Sequence, residues 1–179
     1  DLTADQQALF DFTCKVVRLW REHPVFQRRQ FFQGRQIRGA TVRDIAWLTP
    51  LGKEMSDTDW VSGSRTLGVR LNGEMIDEVD EYGRQILGDT WLLLLNAHYE
   101  PVRFILPPHQ KHEYWGLALD TARERTGSRW FSAGNRYELV PRSMAVFQLR
   151  RVRLRFLTRL MRRLRAAPPP SNGAHRPAA

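Results

Sequence analysis

Between residues 44 and 149 apolar residues recur at every second position in short stretches, each closed by residues that turn the chain. A period of two puts alternate side chains on opposite faces of an extended backbone, so these stretches predict strands rather than helices. Residues 44–48 are closed by Pro50, and Leu67, Val69 and Leu71 alternate with Gly68 and Arg70 ahead of an Asn72-Gly73 turn. Residues 91–95 form a continuous apolar run, the pattern of a strand covered on both faces. Residues 102–106 end at Pro107-Pro108. Trp115, Leu117 and Leu119 alternate with Gly116 and Ala118, Tyr137 and Leu139 form a further piece, and Ala145, Phe147 and Leu149 alternate with Val146 and Gln148. About seven or eight short strands with turn signals between them predict a mainly β chain folded as an antiparallel β-sandwich. Residues 74–84, acidic and containing Gly83, read as a long exposed loop. No internal repeat is visible.

The first twenty-odd residues follow a different period. Thr3 with Gln6 three residues on fits a capping box, and Leu9, Phe12, Val16 and Leu19 share one face at a spacing of 3.6. Phe10, Cys14 and Val17 widen that face sideways, beyond what a surface helix covers with one neighbour. His23-Pro24 stops the helix, because the residue before proline avoids the helical region. No second helix with a matching stripe follows, so the helix is expected to have partners upstream of Asp1.

The charge is unevenly placed. Of 28 Lys and Arg and 19 Asp and Glu, residues 150–179 hold nine Arg and no acid, which leaves residues 1–149 balanced. A reader of nucleic acid with a basic face on its fold is therefore disfavoured. The basic segment, Arg151 to Arg165, fits one face of a helix through Leu149, Val152, Phe156 and Leu160, although Val152, Leu154 and Phe156 could instead prolong the last strand. Its length and lack of breakers favour the helix. It is a candidate contact for an anionic surface, set against a solvated extension packed on a larger protein. From Ala166 onward, with Pro168-Pro169-Pro170, the composition is that of a disordered tail. The single Cys14 excludes an internal disulfide framework, no apolar run reaches the ~18 residues that span a bilayer, and the first residues do not read as a signal peptide.

Each candidate for chemistry has a simpler reading. His109 and His112 beside Glu113 have a spacing seen in metal sites, but no further His or Cys completes a ligand set, so a solvated loop is the better reading. Asp77, Glu78, Asp80 and Glu81 lack the ligand alternation and sharp-turn glycine of a calcium loop. Ser62 and Ser64 around Gly63 do not form a nucleophile elbow. Trp47, Trp91 and Trp115 fall in strand patterns and are expected in the core. Trp60 and Trp130 lie outside clear strands and are the candidates for a contact surface, such as a sugar-stacking platform. No catalytic residue, metal site or cofactor site is assigned.

Several motifs in one order carry a resemblance. Arg21-Glu22-His23-Pro24-Val25-Phe26 with Phe31-Phe32-Gln33-Gly34 resembles the junction "R-x-HPVF…FFQG" of bacterial glycogen-debranching enzymes of isoamylase type. So do Asp44-Ile45-Ala46-Trp47-Leu48-Thr49-Pro50-Leu51-Gly52-Lys53-Glu54-Met55, Asp59-Trp60 and Leu67-Gly68-Val69-Arg70-Leu71-Asn72-Gly73. Leu92-Leu93-Leu94-Leu95-Asn96-Ala97-His98-Tyr99-Glu100-Pro101 is similar to the family's "LLLxNAHHEPV", with Tyr99 where His is commoner. Trp115 to Thr121 and Pro141 to Val146 match its closing strands, so the resemblance covers about residues 2–150 and ends where the Arg-rich extension begins.

The resemblance implies a cytoplasmic bacterial enzyme of the α-amylase superfamily that hydrolyses α-1,6 branch linkages in glycogen or limit dextrin. It implies a β-sandwich module, a (β/α)₈ catalytic barrel and a C-terminal β-sandwich, with a retaining mechanism based on carboxylates at the barrel's strand ends. Residues 1–30 are then expected to be the last barrel helix and a junction, residues 31–150 the C-terminal sandwich, and residues 151–179 the basic helix and tail. The catalytic carboxylates would lie upstream, making this chain alone inactive. Its expected partners are the barrel and, through the barrel, branched α-glucan. The alternative is an autonomous β-sandwich module binding glucan or an anionic surface.

Overall fold

A computed structural model describes residues 2–34, 43–123 and 129–151. Helix α1 (Ala4–Glu22) opens the chain, as its period predicts. The capping box forms: the Gln6 amide donates to Thr3 Oγ1 at 3.3 Å, and the Thr3 amide donates to Gln6 Oε1 at 2.9 Å. Those two bonds satisfy donors that no helical carbonyl reaches. At the other end His23 turns extended and Pro24–Phe26 makes a single 3₁₀ turn. Gln27 Nε2 donates to the carbonyls of Trp20 and Arg21, and Trp20 Nε1 donates to the Phe26 carbonyl, so the end of α1 is tied to the turn after it.

Eight strands follow: β1 (Ile45–Leu48), β2 (Thr66–Leu71), β3 (Trp91–Asn96), β4 (Val102–Ile105), β5 (Glu113–Asp120), β6 (Trp130–Phe131), β7 (Arg136–Leu139) and β8 (Ser143–Arg151). A one-turn helix, α2 (Asp57–Val61), separates β1 from β2 and was not expected from the sequence; Ser56 and Asp59 cap it reciprocally. Six strands form one sheet in the order β1-β2-β3-β8-β5-β6, and β4 pairs with β7 in a second, all antiparallel.

The two sheets share a core. Leu48, Leu92, Leu94, Trp115, Leu117, Ala145 and Phe147 of the large sheet meet Phe104, Leu106, Tyr137 and Leu139 from the β4–β7 side. The opposite face of the large sheet has its own cluster of Ile45, Val69, Leu71, Trp91, Leu119 and Val146, covered by Val25 of the 3₁₀ turn and by Ile76. Two covered faces explain why β3 is apolar at consecutive positions. Ile76 also corrects the reading of residues 74–84 as wholly exposed, because this side chain anchors the loop by burial.

Trp47 departs from expectation. It points to the same side as Ile45, two residues earlier, but sits on the edge strand β1, beyond the reach of the 3₁₀ turn, and is 40% exposed. Trp91 and Trp115 are fully buried, as expected. Strand β8 runs through Arg151, so the start of the basic segment is extended; the helix expected over the rest of 151–165 and the disordered tail lie outside the described residues.

Candidate functional site

The two tryptophans singled out for contact are both on the surface. Trp60 of α2 is 52% exposed and meets Trp47 edge-to-face at 5.6 Å between ring centroids. Trp130, in the two-residue strand β6, is 50% exposed. Its ring lies over Gly116, where an added Cβ would come within 3.1 Å of it, and the Arg150 guanidinium stands 5.9 Å from its centroid. The two are on opposite edge strands of the large sheet or beside them, so they do not form one platform.

The remaining polar candidates are tied into the fold. His109 Nε2 accepts from the Ala133 amide at 2.9 Å, and its Nδ1 lies 2.9 Å from the Gln110 carbonyl. Glu113 is buried, accepting from the Gln110 amide and from Arg151 Nη2 at 3.0 Å. His109 and Glu113 thus hold the 107–113 turn. Among the described residues no cluster of three His, Cys, Asp or Glu could hold a metal ion. In the acidic loop Glu78 accepts from the amides of Arg29 and Gln30, and Asp80 from those of Tyr82 and Arg84. Ser62 Oγ donates to the Asp59 carbonyl, which caps α2.

Three buried polar groups matter more than any of these. Asp44 is fully buried and accepts from the amides of Gln33, Gly34 and Ile45 and from Arg28 Nη1 at 3.2 Å, so it locks the junction onto β1. Tyr137 of β7 donates to Asp120 Oδ2 of β5, while Arg123 Nη1 donates to the phenol oxygen at 3.2 Å. Burial, reinforced by the hydrogen bond and charge of Asp120, pushes the Tyr137 phenol well above its ordinary value. Asn96, at the end of β3, reaches three carbonyls with Nδ2: Glu100 at 2.8 Å, Val140 at 3.0 Å and Leu139 at 3.2 Å. Its Oδ1 accepts from the His98 amide at 2.9 Å. None of the three was singled out from sequence, because a lone Asp, Tyr or Asn in or beside a strand gives no spacing signal.

Two surfaces stay open. Helix α1 buries none of its residues, and Leu9, Phe10, Phe12, Val16, Val17 and Trp20 are exposed. A groove runs between Ala8–Lys15 of α1 and residues 119–123 at the end of β5. The second is a polar groove between the turn before β2 and the β3–β4 turn, lined by residues 62–66 and 98–102.

Fold and surfaces together define a two-sheet antiparallel β module carrying an N-terminal helix whose apolar face is largely exposed, with Leu19 at its C-terminal end packed against the outer cluster. Over 115 residues, 63% of its length, the chain is 45% identical to the glycogen operon protein GlgX homolog of Mycobacterium tuberculosis. It is 30% identical over 100 residues to the glycogen debranching enzyme of Dickeya chrysanthemi, and 26% identical over 106 residues to that of Erwinia tasmaniensis. No protein-family model matches. The chain is thus similar to a segment of a glycogen operon protein GlgX homolog and of two glycogen debranching enzymes, and the match spans 16%, 12% and 13% of these three relatives.

Proposed function

We propose that this chain is the C-terminal part of a glycogen debranching enzyme that hydrolyses α-1,6 branch linkages in glycogen or limit dextrin in the cytoplasm. In this reading α1 is the last helix of a (β/α)₈ barrel, the two sheets brace that barrel, and the catalytic carboxylates are supplied by the barrel. The observation that carries it is α1 itself: a 19-residue helix with a wide apolar face and no buried residue. Helical stability in proteins comes mainly from packing an apolar face, so this face calls for a partner. A barrel strand and its neighbouring helices supply the right surface. The homology to debranching enzymes supports the choice.

The test is release of reducing ends from β-limit dextrin. Residues 1–179 alone release none, and the same residues joined to an upstream barrel release them at a rate that depends on α1. Debranching by residues 1–179 alone overturns the proposal.

The exposed Trp60 and Trp130 favour a second reading, an autonomous glucan-binding module. Retention on insoluble glucan, lost in Trp60→Ala or Trp130→Ala, supports it. A variant of that reading gives Arg151–Arg165 an anionic surface to bind; salt-dependent binding to anionic vesicles that disappears on truncation after residue 149 supports it.

A further inference from the structure

We propose that the polar groove between residues 62–66 and 98–102 is a surface binding site for an α-glucan chain, with Tyr99 as its stacking platform and Arg65 and Glu100 as its hydrogen-bonding walls. The choice of glucan rests on the debranching reading; the groove itself rests on geometry.

Tyr99 is 63% exposed although its ring stacks on His98, with centroids 4.2 Å apart and planes 26° from parallel. One face of the phenol ring is thereby backed by a second ring, and the exposure belongs to the rest. An aromatic ring held flat at a surface matches the apolar C–H face of a pyranose, while its hydroxyl remains available to the sugar. The groove is otherwise polar, with Ser62, Arg65 and Glu100 along it. Among the described residues no ion pair engages Arg65. The Glu100 carboxylate is two-thirds exposed and 4.0 Å from His98 Nδ1. A guanidinium and a carboxylate on one groove suit the vicinal hydroxyls of a neutral sugar, which both donate and accept. They do not suit a polyphosphate chain, because the carboxylate repels it.

The groove is also held in shape before any ligand arrives. The Ala97 amide donates to the Arg65 carbonyl at 2.8 Å, joining the two walls. The Arg142 amide donates to the His98 carbonyl at 3.1 Å, and the Asn96 side chain fixes the β3–β4 turn from beneath. The Glu100 amide donates to His98 Nδ1 at 3.1 Å, so in the neutral ring Nε2 carries the proton and can serve as a further donor. A preformed site loses little conformational freedom on binding. The groove lies at the end of the large sheet where β2 begins and β3 ends. Residues 119–123, which face α1, are at that same end. A glucan held there runs beside the surface on which the barrel is proposed to pack.

The experiment is affinity electrophoresis of residues 1–179 through gels containing amylopectin, with titration by maltoheptaose as the soluble probe. The wild-type chain is retarded. Tyr99→Ala and Arg65→Ala each raise the Kd for maltoheptaose about tenfold, the loss expected when one stacking ring or one charged hydrogen bond is removed. Tyr99→Phe keeps the ring and stays within about threefold of wild type. Unchanged thermal midpoints show that each variant folds. The groove is overturned if the wild-type chain is not retarded, if Tyr99→Ala binds as wild type does, or if retardation is lost in Trp60→Ala but kept in Tyr99→Ala. These outcomes leave the debranching reading standing, because that reading is decided by reducing-end release from the chain joined to its barrel.

Discussion

Replacing Asn96 tests whether a single buried amide holds the two sheets together at the end of β3. Its Nδ2 carries two protons for three carbonyls within 3.2 Å, and its Oδ1 accepts one amide, so Asn→Ala removes about three effective hydrogen bonds. At about 1 kcal/mol net for each, the loss is about 3 kcal/mol. Urea unfolding followed by tryptophan fluorescence reads this directly. With an m-value of about 1.5 kcal/mol/M, the midpoint falls by about 2 M. Asn96→Asp sharpens the test. It keeps the acceptor for His98 but replaces the donor with a carboxylate facing carbonyl oxygens, so at pH 7 it is at least as destabilising as Asn96→Ala. Lowering the pH restores part of the loss, since the protonated carboxyl can donate again. A loss under about 1 kcal/mol for Asn96→Ala, or wild-type stability for Asn96→Asp, refutes the reasoning.

Tyr137 makes stability depend on alkaline pH. Its phenol is raised above the ordinary 10.0 by burial and by Asp120, so the folded state holds the proton that the unfolded state releases. Stability is full below about pH 10 and falls above it by up to about 1.4 kcal/mol per pH unit, and Tyr137→Phe abolishes that dependence on thermal scans. Gly73→Ala places a Cβ 2.2 Å from the Asp89 carbonyl oxygen and 2.4 Å from the Gly88 carbonyl carbon, both backbone atoms. We expect a loss of about 1–3 kcal/mol in urea unfolding, and wild-type stability would show that the 73–89 loop yields freely. Leu9→Lys with Val17→Lys alters only exposed positions of α1, so the thermal midpoint of residues 1–179 changes by less than about 0.5 kcal/mol equivalent. The same pair weakens association with a separately expressed barrel; unchanged association would place the docking face elsewhere.

The elements legible in the sequence were those with a periodic signal. The capping box of Thr3 and Gln6, the stop at Pro24 and seven of the eight strands were marked by period or by turn chemistry. Strand β6 was missed because two residues cannot show an alternation, and α2 because one turn carries no stripe. Trp47 misled for a different reason. Its strand pattern is real, but burial on the outer face depends on what covers β1, and on this edge strand, with Trp60 meeting it edge-to-face, the indole is 40% exposed. The polar groups that hold the fold were invisible in advance. Beside local bonds, Asp44, Asn96 and the Asp120–Tyr137 pair act through partners 10 to 44 residues away, and no local pattern encodes such a distance. The groove at Tyr99 was hidden likewise, since its walls are brought together only by the pairing of β2 with β3.

The open surfaces of the molecule are continuous in a way that bears on how the proposed enzyme is built. The end of the large sheet that faces α1 also carries the partly covered Leu95 and Met144, which pair across β3 and β8. A partner lying along α1 therefore covers the helix and the sheet end in one contact. The 3₁₀ turn supports this, because Val25 is buried in the outer cluster and Leu19 packs against it, while Leu9, Phe10, Phe12, Val16 and Val17 of the helix are exposed. The junction is thus the hinge point between a settled packing and an unfilled one. Asp44 fixes it from the sheet side, accepting from Arg28 Nη1 and from the amides of Gln33 and Gly34. A buried carboxylate bound by backbone amides is a costly arrangement to break, so it holds the chain's path without regard to α1. In the proposed enzyme the same arrangement transmits the sheet's position to the barrel helix, since the C-terminal end of α1 is tied by Gln27 and Trp20 to a turn that cannot shift without opening the outer cluster.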